Sequence, residues 1–129
     1  MKTIMIVVDH APVVRVLKLG MEDAGYEVVT ATNGSECLLK LCDARPDFLV
    51  TDIDMPLMGG KELCLAIEEQ IPERAFPIVV LTSRTEMEHR DWTRNIENLV
   101  FMEKPVSIRR LLSHIDRCFA EAELQERFA

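Results

Sequence analysis

Short apolar runs alternate along the chain with longer segments in which apolar residues recur every three or four positions. Runs of the first kind are typical of β-strands, and the chain has five, at residues 4–8, 28–31, 48–50, 78–81 and 99–102. Segments of the second kind are typical of amphipathic helices. A strand and a helix repeated five times predict an α/β fold with a doubly wound, five-stranded parallel sheet. Residues 27–30 mix polar with apolar side chains, which suits an edge strand.

The periodic segments predict which helix positions face the core. Four stripes are found, formed by Val13, Leu17, Met21 and Ala24; by Leu38, Leu41 and Cys42; by Leu63, Cys64, Ile67 and Ile71; and by Ile108, Leu111, Leu112, Ile115 and Phe119. Ser107 precedes the last stripe and is its predicted N-cap. Residues 86–96 carry many charges and no clean stripe, so a helix there should be the least firmly docked. Trp92 in that segment either contacts a partner or covers the edge of the core, whereas His89 and His114 are expected to be solvated or structural.

Length and composition narrow the class of protein. The chain has 129 residues, which is enough for one domain with its own core, and it is 48% hydrophobic and 29% charged. No apolar run approaches the roughly 18 residues of a membrane span, so no membrane partner is expected. Fifteen basic against 22 acidic residues give a net charge of −7 without a basic block, which disfavours direct nucleic-acid binding.

The four cysteines show no C-x-x-C spacing, and they are Cys37, Cys42, Cys64 and Cys118. All four lie in helical segments, where cysteine usually serves as a small buried hydrophobic residue. Because no export signal is found, we expect a reducing, cytoplasmic location.

Polar side chains with complementary chemistry follow four of the predicted strands. They are Asp9 and His10 after the first strand, Asp52 and Asp54 after the third, Thr82 after the fourth and Lys104 after the fifth. The carboxyl ends of parallel strands share one edge of the sheet, so these side chains should converge there. Carboxylates suit a divalent cation, and a hydroxyl and an ammonium suit phosphate oxygens. Such a site would let Asp52 accept a phosphoryl group as an acyl phosphate.

Together these pieces resemble the receiver domain of two-component response regulators, from Ile4 to about Phe119. The matching segments are Ile6-Val7-Val8-Asp9, Asp52-x-x-Met55-Pro56-x-Met58-x-Gly60, Val80-Leu81-Thr82-Ser83 and Phe101-x-x-Lys104-Pro105. The resemblance implies a flavodoxin-like fold with strand order 2-1-3-4-5 and five helices. It also implies a receiver domain at residues 1–122, followed at 123–129 by a short helical extension or a frayed tail.

The resemblance implies a role for each matching residue. Asp52 corresponds to the phosphoacceptor, Thr82 to the switch hydroxyl, Lys104 to the phosphate-binding ammonium and Phe101 to the aromatic that changes rotamer. Asp9 corresponds to the first residue of the acidic pair that binds Mg²⁺. The Lys104–Pro105 bond is expected to be cis. Such a domain is a signalling switch rather than an enzyme, and at most it catalyses its own phosphotransfer and autodephosphorylation.

The second acid of that pair is replaced in this chain by His10. Imidazole is a poor ligand for Mg²⁺, so binding should be weaker or shared with Mn²⁺, with His10 either beside the site or in place of a water. Asp54 restores an oxygen donor through its side chain or its backbone carbonyl, so the predicted metal ligands are Asp9, Asp52 and Asp54. A second difference is Glu97-Asn98, which replaces the Gly-Ala that the family commonly has before strand five, and Asn98 can still adopt a left-handed backbone.

Three functional hypotheses follow. In the first, a histidine kinase or phosphotransfer protein phosphorylates Asp52, and the altered surface docks a downstream target protein; the chain is a monomer or a weak dimer. In the second, suggested by His10, the chain is an atypical receiver that binds proteins constitutively.

A third is a phosphatase of the haloacid dehalogenase type, because Asp52-Ile53-Asp54 resembles its acidic pair. That reading is disfavoured because the later acidic pair it needs is missing, as Asp116 is the only core acid after Lys104.

Overall fold

A computed structural model of the chain describes residues 1–83 and 90–128. Within them five parallel strands form one sheet in the order β2-β1-β3-β4-β5, as the family resemblance implied. The strands are β1 (Thr3–Val7), β2 (Glu27–Ala31), β3 (Phe48–Asp52), β4 (Ile78–Thr82) and β5 (Leu99–Glu103). Each lies within two residues of its predicted bounds.

The helices are α1 (Ala11–Asp23), α2 (Gly34–Asp43), α3 (Gly60–Gln70), α4 (Arg90–Thr93) and α5 (Ile108–Phe128). The weak segment predicted at residues 86–96 overlaps α4, while its first part, with Met87 and His89, lies outside the described residues. Residues 123–128 continue α5 as helix. None of the helices described here has the length and apolar character needed to cross a membrane.

The core has two layers, one on each face of the sheet. Strand side chains alternate between the faces, so that Met5 and Val7 point to one layer and Ile4 and Ile6 to the other. The first layer is closed by α2 and α3, and the second by α1 and α5. Every residue of the central strands β3 and β4 is buried. The edge strand β2 alternates between exposed and covered residues, as its mixed sequence predicted.

Two predicted core positions on the helices are wrong. Cys42 is exposed, because the buried face of α2 is set by Gly34, Cys37 and Leu41, and Cys42 lies about 100° further around the helix than Leu41. Ala24 is exposed as well, because α1 ends at Asp23 and Ala24 is its C-cap. Burial of the cysteines is therefore confirmed for Cys37 and Cys64, and is partial for Cys118.

Several local predictions around β5 are confirmed. Asn98 has a left-handed backbone with φ 54°, and its carbonyl accepts a hydrogen bond from the N–H of Ile78 at 2.8 Å. The Lys104–Pro105 peptide bond is cis. Ser107 Oγ accepts a hydrogen bond from the N–H of Arg110 at 3.3 Å, which is the predicted N-cap of α5.

Candidate functional site

Five of the predicted site residues line a cavity of about 660 Å³ at the carboxyl end of the sheet. Its polar lining consists of Asp9, His10, Asp52, Asp54 and Lys104. Its apolar lining comes from α1 and from the segment between β5 and α5, with Pro12, Val13, Val16, Leu17, Pro105, Val106 and Ile108. The topology therefore brings together side chains that follow three different strands.

Asp52 is the last residue of β3, and only 5% of its surface is exposed. Lys104 Nζ lies 2.5 Å from Asp52 Oδ1, and the backbone N–H of Ile53 donates to the same oxygen at 2.9 Å. A nearly buried carboxylate requires such partners, because an unpaired charge is costly away from water. Both contacts are therefore made by Oδ1. Among the described residues, no hydrogen-bond donor is found for the other carboxylate oxygen, Oδ2.

The loop after β3 is fixed by a close backbone approach at Gly60. The N–H of Gly60 donates to the carbonyl of Ile53 at 2.9 Å, and a Cβ on Gly60 would lie 2.9 Å from Ile53 Cα. A side chain at residue 60 would therefore push the backbone that positions the Ile53 N–H on Asp52. Glycine is needed at this position because the backbone of Asp52 and Ile53 leaves no room for a Cβ atom.

Thr82 ends β4 and is fully buried. The register pairs Asp52 with Leu81, and the backbone carbonyl of Thr82 accepts a hydrogen bond from the N–H of Lys104 at 3.0 Å. Thr82 therefore lies between the strand that carries Asp52 and the strand that leads to Lys104. Its side chain is not part of the cavity lining given by the described residues.

Phe101 lies on β5 opposite Val80 and is half-buried. Its ring meets the indole of Trp92 edge to face, with centroids 6.0 Å apart. Trp92 also packs against the first core layer. Of the two interpretations of Trp92, the structure supports the one in which it covers the core edge.

His10 occupies the N-cap position of α1, where its backbone is extended and its side chain makes no capping hydrogen bond. Asp9, His10 and Asp54 are all exposed at the mouth of the cavity. Carboxylate oxygens are the donors that Mg²⁺ and Mn²⁺ prefer, so the chemistry of the lining fits a hard divalent cation. In residues 1–83 and 90–128, however, no three carboxylate, imidazole or thiol side chains are grouped closely enough to hold an ion. The acids thus share a cavity, and their role as metal ligands stays a prediction.

Two parts of the site were not predicted from the sequence. The Ile53 N–H acts through the backbone, which leaves no signal in residue type. The apolar wall does have a signal in the sequence, because Val16 is apolar although it lies off the core-facing stripe of α1. In the structure Val16 lines the cavity and 61% of its surface is exposed.

The fold and the site define an α/β domain with a carboxylate–lysine pair in a cavity at the carboxyl end of its parallel sheet, and the comparisons with known proteins agree. Residues 4–116 match the response regulator receiver domain family. This chain belongs to that family.

Known relatives and structures are consistent with this membership. The alkaline phosphatase synthesis transcriptional regulatory protein PhoP of Bacillus subtilis (strain 168) is 30% identical over 95% of this chain and 50% of that protein. Protein PilG of Pseudomonas aeruginosa is 26% identical over 87% of this chain and 83% of that protein. The chain therefore spans about half the length of PhoP and most of PilG.

Two solved structures have the same fold over more than nine tenths of this chain. The chemotaxis protein CheY4 of Vibrio cholerae has a TM-score of 0.82 and 32% identity, covering 91% of this chain and 98% of that one. A CheY-like receiver domain protein of Methanospirillum hungatei JF-1 has a TM-score of 0.86 and 28% identity, covering 97% of this chain and 98% of that one.

Proposed function

We propose that this receiver domain accepts a phosphoryl group on Asp52 from a histidine kinase or a phosphotransfer protein, and that phosphorylation changes a surface that docks a downstream target. The observation that carries the proposal is the pairing of the nearly buried Asp52 carboxylate with Lys104 at 2.5 Å inside an open cavity. A lysine held there neutralises the carboxylate and can follow the charge onto the transferred group.

In the transfer step, Asp52 Oδ2 attacks the phosphorus of the donor while Oδ1 stays bound to Lys104 and to the Ile53 N–H. A new O–P bond forms and the P–N bond to the donor histidine breaks. The histidine nitrogen leaves with the electron pair and is protonated from solvent. The cavity has a volume of about 660 Å³, and its apolar wall beside Val16 and Val106 suits contact with a protein donor.

A divalent cation, Mg²⁺ or Mn²⁺, would supply positive charge for the phosphoryl oxygens. Asp9, Asp52 and Asp54 are the residues that would hold it, Asp54 through its carboxylate or its backbone carbonyl. His10 then lies at the rim and weakens the affinity, because it replaces an oxygen donor with an imidazole. Isothermal titration of Mg²⁺ into the wild type and into His10→Asp tests this point. Tighter binding by the variant is expected, and equal affinities would contradict it.

Phosphorylation adds charge of about −1.5 to −2 beside the end of β4. We infer that the Thr82 hydroxyl then turns toward the phosphoryl group and that Phe101 turns inward into the space it vacates, which changes the contact of Phe101 with Trp92. Couplings of this kind amount to about 1–3 kcal/mol, which biases a surface between two arrangements without refolding it. The chain thus acts as a signalling switch, at most catalysing its own phosphotransfer and dephosphorylation, and its expected location is the cytoplasm.

Incubation with a small-molecule phosphodonor and Mg²⁺, followed by intact-mass measurement, tests the proposal. We expect the wild type to gain one phosphoryl group and Asp52→Asn to gain none. Lack of phosphorylation in the wild type would instead favour the second candidate function, a receiver that binds its partner constitutively. The exposed His10 at the predicted metal position is the observation that favours that alternative.

A further inference from the structure

Strand β2 forms a free edge of the sheet. Within residues 1–83 and 90–128 it pairs with β1 alone. The N–H of Glu27 donates to the carbonyl of the residue before β1 at 2.9 Å, and the carbonyl of Ala31 accepts from the N–H of the residue after β1 at 3.1 Å. Because successive residues of a strand direct their backbone groups to opposite sides, those of Val28 and Thr30 face away from the sheet.

The sequence along this edge favours pairing with another strand. Residues 28–32 are Val-Val-Thr-Ala-Thr, with no charge and four β-branched side chains, and Val29 is 38% exposed. Among the described residues, no protein partner is found for the N–H of Thr30 or for the backbone groups of Val28. Unpaired backbone groups on such a strand are a template for a strand of another chain, and soluble proteins commonly cover or charge them.

Two side chains of α2 cover part of this edge. Lys40 Nζ donates a hydrogen bond to the carbonyl of Thr30, which faces outward. Glu36 lies one turn earlier on α2, and its Oε1 is 3.2 Å from Lys40 Nζ. Through Oε2, Glu36 accepts from the hydroxyl of Thr32 at 2.9 Å and from its N–H at 3.4 Å. Lys40 and Glu36, which we call the edge bracket, thus contact the outward backbone groups of two alternate residues.

The edge bracket is exposed, so its own effect on stability is small. The side chains of Lys40 and Glu36 are 41% and 38% exposed, and ion pairs in such surroundings contribute little to folding. Its position has a larger consequence for association. Lys40 occupies the carbonyl that an added strand would use, and an added strand would strip water from its ammonium.

We propose that Lys40 closes the free edge of β2 against pairing with β2 of a second copy of this chain. A second β2 is the fitting partner because a two-fold axis beside the edge lays the same uncharged segment, residues 28–32, antiparallel to itself. The outward N–H and carbonyl groups of each strand then face those of the other. The edge bracket shares no residue with the Asp52 site, so the proposal does not depend on phosphorylation.

Sedimentation velocity of the full, unphosphorylated chain over a range of concentrations tests the proposal. Lys40→Met keeps an unbranched side chain but removes the donor and the charge. It should strengthen self-association at least about tenfold relative to the wild type, because the edge then offers an unpaired carbonyl. Lys18→Met makes the same charge change on the exposed side of α1 and is the matched control. It should associate no more than the wild type, and circular dichroism checks that both variants fold.

Two further variants separate closure of the edge from a general loss of charge. Lys40→Arg retains a donor for the Thr30 carbonyl and should behave like the wild type. Adding Val29→Lys to Lys40→Met restores the net charge and places it on the strand itself, which should abolish the gained association.

Amide hydrogen exchange locates the contact. In the associated Lys40→Met variant the N–H groups of Val28 and Thr30 should exchange more slowly at high than at low protein concentration. Lys40→Met that associates no more than the wild type would overturn the proposal. So would association that leaves these two amides unprotected, or that persists after Val29→Lys is added.

Discussion

The indole of Trp92 and the ring of Phe101 meet edge to face, with centroids 6.0 Å apart and planes at 89°. Trp92 is the only tryptophan in the chain, so its fluorescence reports on this contact without interference. If Phe101 repacks when Asp52 is phosphorylated, the emission of Trp92 should change after a phosphodonor and Mg²⁺ are added. The change should be absent in Asp52→Asn and reduced in Phe101→Leu. A full fluorescence response in Asp52→Asn would contradict the coupling.

Lys104 should matter for both phosphorylation and stability. Lys104→Met leaves the nearly buried Asp52 carboxylate without its cation, so it should lower the free energy of unfolding by about 1–3 kcal/mol, measured in urea. Phosphorylation should slow at least about tenfold, because the charge on the transferred group loses its cation. Lys61→Met, on α3 and outside the cavity lining, is the matched control and should leave the rate unchanged. Equal phosphorylation rates for the two variants would remove Lys104 from the mechanism.

The cysteines should react in a definite order with a thiol-specific disulfide reagent. Burial raises the pKa of the Cys37 and Cys64 thiols to about 12, so these two should react only when the protein unfolds. Cys42 is exposed and should react first. The Cys42→Ser variant should lose the fast phase of the reaction, followed by absorbance. A fast phase that survives in that variant would show that another thiol is accessible.

The chain has one tyrosine, and its titration should lie in the strongly alkaline range. Burial, together with the hydrogen bond that the Tyr26 hydroxyl donates to Asp116, raises the Tyr26 pKa from 10.0 to about 12. Because the folded state holds this proton more tightly than the unfolded state, its contribution to stability is complete below pH 10. It is lost as the pH rises from about 10 toward about 12.

Ultraviolet absorbance of the phenolate measures this titration directly. The Asp116→Asn variant should titrate at a lower pH than the wild type and still above 10, because burial is the larger cause of the shift. Tyr26→Phe should show no titration and should lose the alkaline decline in stability that Tyr26 causes. A wild-type midpoint near 10 would contradict the packing of Tyr26 against α5.

The sheet and the convergence of the site could be predicted from the sequence, because both depend on patterns that are local. Apolar runs define the strands, and the residue that follows each strand is brought to the carboxyl edge whatever the details of packing. Asp52 and Lys104 meet for this reason, although they lie 52 positions apart along the chain.

Other features depend on packing that periodicity does not contain. Cys42 continues the apolar character of α2, yet the burial of Gly34 and Cys37 fixes which face turns inward. The N–H of Ile53 donates to Asp52 through the backbone, so no residue type signals it.

The most direct test of the central claim is chemical identification of the phosphorylated residue. Borohydride reduction of the phosphodonor-treated protein converts an aspartyl phosphate to homoserine, and peptide mass spectrometry then locates it. We predict homoserine at Asp52 alone in the wild type. Homoserine at Asp9 or Asp54, or an unmodified Asp52 after treatment with the phosphodonor and Mg²⁺, would contradict the claim.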